Sequence, residues 1–262
     1  MTNWSNQSTI EPIMFEPIAP RESAVEACAA QLRHVILGGR LKPGDKLPPE
    51  RRLAESLGVN RMTLRNALGQ LARARLIDVR QGSGYAVRDY REHGGPELLP
   101  GLVDLARSSE REAIVEDLLR VRRHLARAVL DKLASIEPDL AAVGDAVDAF
   151  AAVVGDGTAA VAEADLGIVR ALLAATESPV LQLCTNPIER AVREMPWLAD
   201  AIYAEPEGNL TGWRALLAWL EAGDASGIDE LMEVLELRDE ATVARIVGRR
   251  RKRPSKRKGR RR

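Results

Sequence analysis

The chain has 262 residues, 45% of them hydrophobic and only 3% aromatic, enough for two modest domains built from helices packed through aliphatic faces. No apolar run approaches the length of a membrane span, and Cys28 and Cys184 are too isolated for a disulfide framework or a metal motif. The formal net charge of +0 conceals a segregation: 14 Lys and Arg stand against 7 Asp and Glu over Arg21–Arg91, 13 against 29 over residues 92–247, and 11 against none over residues 248–262, which assigns polyanion binding to the flanks and not to the middle.

Residues 1–20 carry Asn, Ser and Thr and then Pro12, Pro17 and Pro20, the composition of a flexible arm. They lack the basic start and apolar centre of a signal peptide, so a cytoplasmic location is expected. From residue 21 to 37, Val25, Ala29, Leu32 and Ile36 fall at helical spacing, and Gly38-Gly39 stops that helix. Pro43-Gly44 suits a type II turn, with Pro fixing φ at the second position and Gly supplying a positive φ at the third. Pro49 begins a short helix over Glu50–Leu57 that Gly58 ends. Asn60 is a good N-cap for the next helix, in which Leu64, Leu68 and Leu71 form a buried stripe. Arg61, Thr63, Arg65 and Asn66 lie off that stripe near its N-terminal end, the part of a recognition helix that reaches base edges. Two short strands, Leu76–Val79 and Tyr85–Val87, then flank the glycine-rich tip Arg80–Gly84. Helix, turn, Arg-bearing helix and hairpin, in that order, make a winged helix-turn-helix over residues 21–88.

Residues 89–96 read as a linker punctuated by Gly94, Gly95 and Pro96. Beyond it, residues 97–247 are helical throughout. Ile114, Leu118, Val121, Leu125, Val129 and Leu133 mark one apolar stripe, and breaks at Glu137-Pro138, Gly155–Gly157, Ser178-Pro179, Met195-Pro196 and Gly223-Asp224 divide the rest into six or seven helices. The expected class is therefore mainly α, a winged helix-turn-helix with a small β-hairpin followed by an all-α bundle. Residues 248–262, GRRRKRPSKRKGRRR, are low in complexity and read as a disordered basic tail.

The segment LPPERRLAESLGVNRMTLRNALGQL resembles the GntR family of transcriptional regulators, whose pattern is LPSERELAxxLGVSRxTVRxAL. Leu47, Pro48, Glu50, Arg51, Leu53, Ala54, Leu57, Gly58, Val59, Arg61, Thr63, Arg65, Ala67 and Leu68 match it, and RQGSGYAV is similar to the family's wing RQGxGTFV. Asn60 stands where the family has Ser, and Asn66 where Glu is common. The resemblance implies a dimeric, nucleoid-associated repressor on a palindromic operator in double-stranded DNA. Arg61 and Arg65 would donate to guanine edges or clamp phosphates, Arg51 would meet the backbone or the same groove edge, Thr63 would donate to a phosphate, and Gly82 and Gly84 would let the wing approach the duplex.

The helical half is similar to the fatty-acid-regulator (FadR) subgroup: ADLGIVRALLAATESPVLQ follows its DxxFHRALxxASGNPLL, and LLAWLEAGDASGIDELM its LLDALRAGDAEAARAAM. Many members hold a metal with one Asp and three His. Here Asp165 keeps the acid, while Val169, Trp213 and Leu235 occupy the His positions, so no metal and no other cofactor is expected. Asp165 alone reads as a helix-start or surface carboxylate. Arg122 aligns with an Arg that faces the effector pocket in the family, and a pocket so depleted of imidazoles suits a ligand with hydrocarbon or aromatic surface and an anionic end met by Arg122. Acyl-CoA binders are the metal-free precedent in the subgroup. No nucleophile elbow, Cys/His pair or phosphate-binding loop supports an enzyme. An architectural nucleic-acid binder, with the basic tail dominant and no effector, is the alternative left open.

Overall fold

The structure, a computed structural model, describes residues 23–80, 84–223 and 226–251. Helix α1 (Ala24–Leu37) starts where the Ser23 hydroxyl accepts the Glu26 N–H at 3.1 Å, and it buries Cys28, Ala29, Leu32, Ile36 and Leu37. The Pro43-Gly44 turn closes with the Asp45 N–H on the Lys42 carbonyl at 3.0 Å, and Gly44 takes φ +91° there, a value that L side chains rarely adopt. Helix α2 (Glu50–Leu57) is preceded by Pro49 at the cap, and Gly58 ends it at φ +65°. Helix α3 (Arg61–Arg73) is capped by Asn60, whose side chain accepts the Thr63 N–H at 2.8 Å. Its Leu64, Leu68 and Leu71 are at most 1% exposed and form the centre of a core shared with α1 and α2.

Strands β1 (Ile77–Arg80) and β2 (Gly84–Val87) pair antiparallel, Ile77 opposite Val87 and Arg80 opposite Gly84. An unforeseen third segment joins them. Lys46 bridges to Ala86, the Leu47 N–H reaches the Tyr85 carbonyl at 2.9 Å, and the Val87 N–H reaches Asp45 at 2.9 Å. The stretch between α1 and α2 thus covers the free edge of β2 and ties the wing to the helices.

Residues 89–96, read from the sequence as a linker, instead contain a capped helical turn, α4 (Tyr90–His93), and lead into a 3₁₀ turn at Pro96–Leu98. The reason is apolar content: Tyr90, Leu98, Leu102 and Leu105 all pack on the core of the N-terminal helices. Helix α5 (Leu99–Leu105) lies against α1, where a side chain added at Gly101 would come within 3.0 Å of Leu37.

Seven more helices follow: α6 (Ser108–Ala134), α7 (Ala141–Ala152), α8 (Thr158–Ala175), α9 (Pro179–Arg193), α10 (Pro196–Ile202), α11 (Pro206–Ala222) and α12 (Ile228–Arg251). With α5 they make eight among the described residues, where six or seven were expected. The additional breaks fall at Ala106-Arg107 and before Pro206, and α9 continues through Pro187. One core lies among α6, α7, α8 and α11 around Phe150, Ile168 and Leu133; a second joins α5, α6, α9 and α10 around Val103, Leu119 and Leu198. Val121, placed on the apolar stripe of α6, is 48% exposed, because the helix buries Val115, Leu118, Leu119, Val129, Leu130 and Leu133 instead. Fold class follows the expectation: mainly α, a winged helix-turn-helix and a helical bundle.

Candidate functional site

Two regions gather the residues singled out above. In the first, the N-terminal end of α3 presents Arg61, Met62, Arg65 and Asn66 to solvent beside the capping Asn60. Arg65 is held: its Nε donates to Glu50 Oε2 at 2.8 Å, while the Tyr85 hydroxyl donates to Glu50 Oε1 at 3.2 Å. One carboxylate therefore joins α2, α3 and the wing. Burial and the nearby Glu50 carboxylate push the Tyr85 hydroxyl up, so it remains a donor at neutral pH. With Nε occupied, the two terminal amines of Arg65 have no protein acceptor among the described residues and can address one base edge end-on.

Arg51 pairs with Glu55 at 3.2 Å on an exposed helix face, a contact weak enough in water to yield to a phosphate. The Thr63 side chain is half-buried, and its backbone N–H serves the cap. Gly84 is exposed at φ +84°, and Gly82 lies outside the described residues. The sequence reading missed Glu50 and Tyr85, which position Arg65, and Met62, an apolar side chain 65% exposed on the same face.

The second region is a cavity of about 460 Å³ enclosed by α6, α8, α9, α11 and α12. Arg122, Asp165, Val169, Trp213 and Leu235 all line it. Asp165 corrects the sequence reading: it is neither at a helix start nor on the surface, but buried in the middle of α8. Its Oδ1 accepts the Trp213 Nε1–H at 2.7 Å, and its Oδ2 accepts the Tyr203 hydroxyl at 2.8 Å. Burial pushes the Asp165 carboxyl above the usual carboxylate range, against those two hydrogen bonds and the charges of Arg122 and Arg238. The same burial, with Asp165 beside it, raises the Tyr203 hydroxyl further and keeps it a donor.

These residues do not fit a metal. Both Asp165 oxygens are taken, Trp213 offers only an N–H, and Val169 and Leu235 have no lone pairs. Among the described residues no three His, Cys, Asp or Glu side chains converge as a metal would need.

The cavity wall is largely aliphatic, from Val129, Leu130, Leu172, Leu216, Leu231 and Met232, with a few polar groups. Arg122 donates to Asp239 at 2.9 Å, and Arg123 takes the other oxygen of that carboxylate at 2.9 Å. On α9, Thr185 Oγ1 and Glu189 Oε1 are buried without a hydrogen-bond partner. Burial raises the Glu189 carboxyl, opposed by Arg170 and Arg193. An amphipathic organic molecule, apolar along its body and polar at one end, matches such a lining.

Residues 24–87 match "Bacterial regulatory proteins, gntR family", and residues 117–236 match the FCD domain. The chain is 34% identical over 230 residues to the HTH-type transcriptional regulator Rv0494 of Mycobacterium tuberculosis, covering 87% of this chain and 90% of that protein. It is 33% identical over 154 residues to the fatty acid metabolism regulator protein of Edwardsiella ictaluri, covering 59% of this chain and 63% of that one. Its fold is also that of a solved structure, "Lar controls the expression of the Listeria monocytogenes agr system and mediates virulence", with a TM-score of 0.58 at 15% identity over 88% of this chain and 99% of that one. The chain belongs to the gntR family of bacterial regulatory proteins, as a transcriptional regulator with an FCD effector domain and not an enzyme.

Proposed function

We propose that this regulator is a cytoplasmic, nucleoid-associated repressor that binds a palindromic operator as a homodimer and releases it in response to a lipid-derived acyl ligand. DNA reading is placed on Arg51, Asn60, Arg61, Thr63, Arg65, Asn66, Gly82 and Gly84 within residues 21–88. Ligand binding and dimerisation are placed in residues 97–247, with Arg122, Asp165, Val169, Trp213 and Leu235 around the ligand. The observation that carries this reading is the exposed N-terminal end of α3, where Arg65 is held through Nε by Glu50 and its terminal amines have no acceptor among the described residues. A single recognition helix reads too few base pairs for useful specificity, which is the reason to expect two heads on a palindrome.

The apolar cavity supports an acyl ligand, acyl-CoA among them, and the similarity to a fatty acid metabolism regulator points the same way. No metal enters this reading. Ligand binding among α6, α8 and α12 would alter the spacing of the two DNA heads, so that they no longer match the half-sites.

Footprinting on a fragment obtained by binding-site selection tests the proposal. One protected palindrome, lost when dodecanoyl-CoA is added, is the expected result. Even protection along the fragment would replace the repressor by an architectural binder, and a palindrome indifferent to every acyl compound tried would remove the ligand.

A further inference from the structure

We propose that Arg238 is the group that receives the anionic end of the cavity's ligand. The inference rests on the reading of this cavity as a ligand site and adds to it the recognition element for the ligand's charge.

Among the described residues three guanidinium groups line the cavity, and two already have carboxylate partners. Arg122 shares the Asp239 carboxylate with Arg123, and Arg245 pairs with Glu205 at 2.7 Å. Arg238 has no carboxylate within ion-pair distance among the described residues, and its protein partner is the neutral Asn209 Oδ1. The Asp165 carboxylate is near enough to feel that charge, but Trp213 and Tyr203 occupy both of its oxygens.

The seat of Arg238 is specific. Gly208 and Gly212, one turn apart on α11, leave the wall bare beneath its guanidinium. A Cβ at Gly212 would lie 2.6 Å from one terminal nitrogen, and one at Gly208 would lie 3.9 Å from the other. Asn209 is buried, and its Nδ2 donates to the Ile202 carbonyl at 3.4 Å, which turns its oxygen toward Arg238. Burial lowers the pKa of Arg238, against the more distant charges of Asp165 and Glu205. A half-buried, unpaired guanidinium is costly to keep, and an incoming anion removes that cost. Leu216, Leu235 and Met232 line the same cavity and suit the alkyl body of the ligand. The ligand class is therefore an aliphatic organic anion, whether its charge is a fatty carboxylate or the phosphates of a CoA ester.

Calorimetric titration of the full chain with dodecanoate, dodecanol and dodecanoyl-CoA tests the assignment. Wild type is expected to bind an anion about ten- to a hundredfold more tightly than dodecanol, the range of a charge-assisted hydrogen bond. Arg238→Gln, which keeps a donor to Asn209, should bind both anions no better than dodecanol and leave dodecanol itself unchanged. Arg238→Lys should restore part of the preference. Dependence on Arg238 for dodecanoate identifies the carboxylate as its partner; dependence for dodecanoyl-CoA alone identifies the phosphates. If the preference survives in Arg238→Gln, or wild type binds dodecanol as well as the anions, the assignment is wrong while the apolar cavity reading stands. If wild type binds none of the three, both readings fall together.

Discussion

At the scale of single residues, buried carboxylates and their donors carry most of the consequences. Asp165 is satisfied by Tyr203 and Trp213, so removing either donor leaves part of a buried charge unsolvated. Tyr203→Phe should cost about 1.5–3 kcal/mol, the range for a hydrogen bond to a charged group. The pH dependence has a definite sign. Folded Asp165 holds its proton more tightly than the unfolded chain does, so its ionisation opposes folding. That penalty is absent below the usual carboxylate pKa, about 4, and grows as pH rises through the raised value. Loss of the Tyr203 hydroxyl raises it further, so urea unfolding of Tyr203→Phe should show a larger deficit at pH 8 than at pH 4.5. Equal deficits would mean that Asp165 stays neutral throughout. At the other end of the molecule, Glu50→Gln should weaken the hold on Arg65 and Tyr85 without touching the core. The ratio of operator to random-DNA affinity is expected to fall by about tenfold, on the order of one displaced base contact. A ratio equal to wild type would show that Arg65 needs no such support.

At the scale of elements, local chemistry predicted the DNA-reading half well. The Asn60 cap, the Gly58 stop and the Leu64, Leu68 and Leu71 stripe are signals written within a few residues of where they act, and α2 and α3 follow them. Asn60→Ala should therefore cost about 1 kcal/mol in thermal or urea unfolding, mainly by uncapping α3; no change would mean that the Thr63 N–H finds another acceptor. What the sequence concealed depends on residues far apart. The edge pairing of Lys46 with Ala86 has no strand pattern of its own. The turn at Tyr90–His93 packs Tyr90 on the core that the N-terminal helices and the wing build together. Asp165 resembles a surface acid until Tyr203 and Trp213, 38 and 48 residues later, close over it. All five residues expected around the effector nonetheless line one cavity, because the family resemblance carried that information. Arg238 went unnoticed: its meaning lies in the glycines of α11 and in the carboxylates already claimed by other arginines.

At the scale of the whole molecule, charge is divided along the chain, with basic pieces at both ends of an acidic middle. The 11 basic residues of 248–262 lie for the most part outside the described residues, yet their charge alone predicts a salt-sensitive contribution that hardly distinguishes sequences. Deleting residues 249–262 should weaken operator and random DNA similarly and flatten the dependence of log affinity on log salt; an unchanged slope would mean that the tail does not touch DNA. Specificity is assigned instead to α3, whose exposed arginines and Glu50 clamp stand at one end of the chain while the cavity lies among the later helices. The most direct measurement is the operator and random-DNA affinity of wild type, Arg61→Ala and Arg65→Ala by fluorescence anisotropy at one fixed salt concentration. Arg65→Ala is expected to lose about 1–3 kcal/mol on the operator and far less on random DNA, and Arg61→Ala to weaken operator binding as well. Operator affinities equal to wild type in both variants would contradict the assignment of α3 as the reading helix.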